Sequence, residues 1–167
     1  NDRLDGGTLS FAGAVAVDSF DHRLWVADQY NHRVLGFQLD RFNRPLEREA
    51  RWVFGQADVF SSELARTRNR TTMPVAVGYD EVDKRLYVAE GWNDRVLVFD
   101  VDPELLQSGG NHQAAVVLGQ ADFNSQEVAV SRNRFDFAPG PGTGLLTSGF
   151  AFDNFNRRVF ISDGKNN

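Results

Sequence analysis

The chain has 167 residues, 41% of them hydrophobic and 25% charged, with 14 Phe, 3 Trp and 3 Tyr; that composition supports a packed core and excludes disorder over most of its length. A net charge of −5 argues against a general nucleic-acid binder. There is no cysteine, which excludes disulfides, thiolate metal sites and cysteine nucleophiles, and no apolar run approaches the ~18 residues of a membrane helix.

In chain order, the first predicted element is a strand at 13–18 within "AGAVAVD" (12–18). A tight turn, "SFDH", leads to a second strand at 23–28, "RLWVAD". A polar turn holding Asn31, His32 and Arg33 follows, then strands at 33–40 and 51–56 and a long connection over 57–73. These four strands are denoted A to D. The series then returns, with strands A to D predicted at 75–80, 85–90, 95–101 and 115–120 and a connection over 121–147. It begins a third time at 148–153 and 158–163. "RLWVAD" recurs as "RLYVAE" 62 residues on and as "RVFISD" a further 73 residues on. The longer second spacing divides between the C–D loop and the stretch after Arg134, where "APGPGTG" (138–144) sits. Short runs rich in Val, Phe, Trp and Tyr between Asp- and Asn-bearing turns read as β-strands. "DPELLQ" (102–107) is predicted to make a single helical turn.

Strand B is apolar on both faces, with Leu24 and Val26 pointing one way and Trp25 and Ala27 the other. A sheet with two buried faces needs a neighbour on each side. Sheets stacked radially meet that need, so the predicted fold is all-β. It is a β-propeller of four-stranded antiparallel blades, with about two and a half blades in this chain. Blade 1 spans about 12–56, blade 2 about 74–120 and a partial third blade 147–167. A sandwich would not repeat its sequence sheet by sheet.

The pattern "GAVAVDSFDHRLWVADQYNHRVLGF" (13–37) resembles the NHL repeat, a propeller blade, and "LGQADF" (118–123) is similar to the outer strand of larger blades in bacterial NHL-repeat proteins. The resemblance covers about 12–167 and departs from the shorter NHL blade in its repeat length. It implies the fold and leaves activity open, because propellers serve many tasks. It also points to an extracytoplasmic bacterial location, secreted or periplasmic. With the third unit stopping before its strand C, the arc is expected to self-associate or to be completed by further blades, since bare apolar patches above ~400 Å² normally find a partner.

The polar B–C turns hold the candidate functional residues. Asn31, Asn93 and Asn166 share one position, Arg33 and Arg95 the next but one, and Asp28, Glu90 and Asp163 end strand B. Side chains that recur at turns usually bond local backbone, so this set is predicted to be structural, with Asn capping the turn and Arg pairing with the acid. The slot between Asn and Arg changes from His32 to Asp94 to Asn167, which disfavours a metal ligand or catalytic base. The other histidines, His22 and His112, fall in different loops. Metal-dependent propeller enzymes, lactonase-like hydrolases and amidating lyases, place ligands around the axial channel. The corresponding slots here are Ala12-Gly13, Pro74-Val75 and Thr147-Ser148. No catalytic residue, metal or cofactor is therefore predicted. A fragment of such an enzyme, with its metal ligands in other blades, is the alternative reading. "GPGTG" lacks the Lys-Ser/Thr of a phosphate loop, and the basic run "ARTRNR" (65–70) lacks the interleaved aromatics of a nucleic-acid site.

Within the constant turn, Tyr30, Trp92 and Lys165 occupy one equivalent position. Exposed rings beside long loops on a rigid scaffold are where binding concentrates. The predicted function is a non-catalytic scaffold that binds a protein, peptide or glycan through Tyr30, Trp92 and Lys165, on the face carrying the B–C turns and D–A loops.

Overall fold

The computed structural model describes residues 4–106, 109–127, 131–137 and 148–164. Among them, strands β1 (Ala12–Asp18), β2 (Arg23–Asp28), β3 (Arg33–Gln38) and β4 (Trp52–Phe54) pair in sequence order as one antiparallel sheet. Strands β5 (Pro74–Asp80), β6 (Arg85–Glu90), β7 (Arg95–Asp100) and β8 (Val116–Leu118) repeat that sheet, and β9 (Ser148–Asp153) pairs with β10 (Arg158–Asp163). The fold is all-β and built of propeller blades. Lys165, Asn166, Asn167 and "APGPGTG" lie outside the described residues.

Two elements are shorter than the sequence predicts. The third strand of each blade ends at Gln38 and Asp100, and the fourth keeps only three residues. Gly55 and Gly119, at φ +81° and +85°, turn the chain out of the sheet directly after the outer strand. A Cβ on Gly55 would stand 2.1 Å from the Thr71 hydroxyl, and one on Gly119 would stand 2.3 Å from the Phe135 ring. A 3₁₀ turn at Gln29–Asn31 was not predicted. At "DPELLQ" the Asp102 carbonyl accepts from the amides of Leu105 and Leu106, closing one turn.

The A–B hairpins are fixed by an aspartate at the end of strand A. Asp18 accepts from the Phe20 and Asp21 amides, Asp80 from Val82 and Asp83, and Asp153 from Asn156. His22, Lys84 and Arg157 then close the turns with φ of 54°, 53° and 57°.

Stacking follows from the two-faced strands. Trp25, Ala27, Val34 and Phe54 of blade 1 pack against Val77, Leu86, Val88 and Phe99 of blade 2. The opposite face of blade 2, with Tyr87, Ala89, Val96 and Val98, packs against Phe150, Phe152, Val159 and Ile161. Small residues let large rings enter: a Cβ on Gly78 would come 2.6 Å from the Phe150 side chain. Each fully buried large side chain contributes roughly 1.5–3 kcal/mol. On the A–B side the blades are also pinned by charge. Lys84 Nζ lies 3.0 Å from the Asp21 carboxylate, and Arg157 pairs with Asp83 at the equivalent place one blade on.

Candidate functional site: the B–C and D–A loop face

The B–C turns of blades 1 and 2 are each built around a buried ion pair. Arg33 Nε donates to Asp28 Oδ2 at 2.7 Å, and both side chains are 0% exposed. Its other nitrogens donate to the Asp5, Thr8 and Val59 carbonyls. Arg95 repeats this in blade 2, pairing with Glu90 and donating to the Thr67, Arg70 and Phe123 carbonyls. One guanidinium thus ties together the loop entering a blade and the loop leaving it. Only a forked, permanently charged donor can meet so many acceptors at once.

The acid is equally occupied. The Ser10 amide donates to Asp28 at 2.7 Å, and the Thr72 amide donates to Glu90. The Asp136 amide donates to Asp163 at 3.2 Å. Asn31 Nδ2 donates to Asp28 at 2.8 Å, and Asn93 Nδ2 donates to Glu90 at 3.2 Å. These asparagines therefore bind the acid, whereas the sequence pattern suggested that they cap the turn. Burial pushes the Glu90 carboxyl upward, against the pull of Arg95, the Thr72 amide and Asn93.

The variable slot has a common task. His32 and Asp94 are left-handed, at φ 54° and 46°. His32 Nδ1 accepts from the Met73 amide at 3.1 Å, and Asp94 Oδ1 accepts from the Phe137 amide at 2.8 Å. Each binds the segment leading towards the next blade. His32 must keep Nδ1 unprotonated to do so, and burial lowers its pKa. The chemistry shared by His, Asp and Asn is hydrogen-bond acceptance, and that shared property was the signal available in the sequence.

The two described rings at the variable position face solvent. Tyr30 is 55% exposed and stacks on Phe11, with centroids 5.1 Å apart. Beside it lies a depression lined by Leu4, Thr8, Leu9, Ser10 and Asn31. Trp92 is 46% exposed and borders a depression of about 290 Å³ with Leu64, Ala65, Arg66, Thr72 and Asn93. The two depressions occupy equivalent places: Leu4, Ser10 and Asn31 correspond to Arg66, Thr72 and Asn93, each 62 residues on. Arg66 Nε donates to Asn93 Oδ1 at 3.1 Å. Trp92 is anchored by its carbonyl, which accepts from Gln126 Nε2 at 2.6 Å. The structure places Tyr30 and Trp92 on equivalent turns, while Lys165 lies outside the described residues.

Sequence reading did not separate Arg66 from its neighbours in "ARTRNR". Arg68 donates to the Ala114 carbonyl at 3.0 Å with its guanidinium over the Phe123 ring, and Arg70 lies 3.6 Å from Glu63. Among the described residues, no group of three His, Cys, Asp or Glu side chains is arranged to hold a metal. No described helix is long and apolar enough to cross a membrane.

No protein-family model matches the chain, and no curated protein does. Among solved structures it is similar to a chain of a nidogen–laminin complex, with 16% identity and a TM-score of 0.40, over 66% of this chain and 35% of that one. It is also similar to a protein from Lactobacillus plantarum, with 14% identity and a TM-score of 0.47, over 93% of this chain and 36% of that one. The chain spans about a third of the length of these solved chains. The blade architecture rests on the order and stacking of the sheets themselves.

Proposed function

We propose that the chain is a binding scaffold of NHL-type blades whose ligand docks on the face formed by the B–C turns and D–A loops. The observation that carries this reading is a depression repeated at equivalent positions of two blades. One part of it is constant and the rest varies. The constant element is Asn31 or Asn93, which lines each depression and donates to the acid of the buried Arg–acid pair. The lining changes from Leu4 to Arg66, and the ring on the adjoining turn from Tyr30 to Trp92. A scaffold that holds its backbone fixed while the rim chemistry changes is suited to recognition.

Trp25 is 0% and Trp52 is 7% exposed, so collisional quenching of tryptophan emission reports chiefly on Trp92. The test is a fluorescence titration of the wild type against peptides and oligosaccharides, with the affinity of Trp92→Ala for any hit measured by calorimetry. A ligand that shifts the emission should lose about 2 kcal/mol, roughly thirtyfold in affinity, on Trp92→Ala. A ligand that binds the mutant as tightly as wild type contradicts this site.

The reading extends to the sides of the stack. Val15 is 62% exposed, although its counterpart Val77 is buried between blades 1 and 2. We take this outer face, on which Val17 is also 48% exposed, to be covered by further apolar sheet, from more blades or from another copy. Light scattering should then show association of the isolated chain; a stable monomer contradicts this part of the reading.

A further inference from the structure

The depression beside Trp92 has an unusual inventory of free groups. Its polar lining is already committed to the scaffold. Thr72 donates its amide to Glu90 and its hydroxyl to the Ala65 carbonyl. Asn93 donates to Glu90 and accepts from Arg66 Nε. What remains is apolar surface and one charge. The apolar surface is the half-exposed indole of Trp92 and Leu64, which is 59% exposed. The charge is the fork of Arg66, whose Nη atoms have no hydrogen-bond or ion-pair partner among the described residues. The arginines around it are occupied: Arg70 lies by Glu63, Arg134 by Glu127, and Arg95 by Glu90.

We propose that this depression binds a peptide carboxylate adjacent to a large apolar side chain, such as a Leu-Glu pair. The inference rests on the reading that this face is the binding surface and adds the ligand's chemistry. A guanidinium fork matches the two oxygens of a carboxylate and forms the stronger, charge-assisted class of hydrogen bond. The indole and Leu64 take the neighbouring side chain, since an aromatic wall presents large apolar area at small entropic cost. A sugar needs several free donors and acceptors for its hydroxyls, and Thr72 and Asn93 have theirs in use. At about 290 Å³ the space suits one or two side chains of an extended peptide. Blade 1 supplies the contrast within the same molecule. Leu4 stands where Arg66 does, so the equivalent depression, next to the turn that carries Tyr30, lacks the cation.

The experiment uses the chain as it stands, with Trp92 emission as the readout where the indole is kept and titration calorimetry as the readout for Trp92→Ala. The probes are an N-acetylated, C-amidated Gly-Leu-Glu-Gly-Gly peptide, its Gly-Leu-Gln-Gly-Gly counterpart and glucuronic acid. The Glu peptide is expected to shift the emission, the Gln peptide to bind about tenfold more weakly, and glucuronic acid to give no shift. Arg66→Gln, whose amide can still donate to Asn93, should erase the difference between the two peptides without moving the thermal midpoint. Tyr30→Ala should leave that difference intact. Equal binding of the two peptides to wild type, a response to glucuronic acid exceeding that to the Glu peptide, or no response to any probe overturns the inference. If the peptides bind equally and Trp92→Ala abolishes both, the face stands and the carboxylate preference falls. If Trp92→Ala leaves both unchanged, the face itself is wrong.

Discussion

The B–C turns of blades 1 and 2 have the same interior and different exteriors. Inside, Arg33 with Asp28 and Arg95 with Glu90 make the same bonds to loops on both sides of the turn. Outside, Tyr30 lies flat on Phe11, whereas Trp92 stands beside Arg66. The difference teaches where constraint acts. A residue that saturates buried carbonyls has no substitute, while a residue on the rim is free to take whatever a ligand requires.

The largest effect should come from breaking the interior. Arg33→Ala or Arg95→Ala leaves a buried carboxylate unpaired and should cost about 3–5 kcal/mol each. Denaturant unfolding should show similar losses for the two. A loss in one blade and none in the other would end the equivalence drawn between the turns. Next in size, Gly36→Ala places a Cβ 2.5 Å from the Trp25 ring and should cost about 1–3 kcal/mol of stability in the same assay.

His32 gives blade 1 a titration that Asp94 does not give blade 2. Its folded pKa lies below the ordinary histidine value because of burial. Unfolded chains therefore bind a proton that the folded chain refuses, so stability falls as pH drops below about 6.5 and is fully present above it. His32→Asn keeps an acceptor for the Met73 amide and removes the titration. Unfolding of that variant between pH 7.5 and 5.5 should show a shallower dependence than wild type, with little change at the upper end. The smallest effect belongs to the rim: Tyr30→Ala should move stability by under about 1 kcal/mol, since the ring is half exposed.

The blade fold was legible because the chain states it more than once. Strand B in all three units and strand A in the third have the predicted bounds, since apolar two-faced runs end at the same Asp, Glu and Arg residues each time. Outer strands were overextended because Gly55 and Gly119 read as strand residues until their left-handed φ is known. The B–C turn carries its acid, Asn and Arg in plain view. The carbonyls of Asp5, Thr8 and Val59 that Arg33 holds do not show, because backbone acceptors leave no trace in residue type. Arg66 was hidden in a run of arginines, and only the fold tells a guanidinium whose Nη atoms are uncommitted among the described residues from an occupied one. A clue did exist: its counterpart 62 residues earlier is Leu4, so this cation is not part of the repeat.

The most direct test of a constant interior with one ligand-bearing exterior is amide hydrogen exchange with and without the Gly-Leu-Glu-Gly-Gly peptide. Slowed exchange is expected only in 66–72 and 91–93, with the equivalent stretches 4–10 and 29–31 unchanged. Equal slowing in both blades, or slowing in the A–B hairpins on the opposite face, would contradict it.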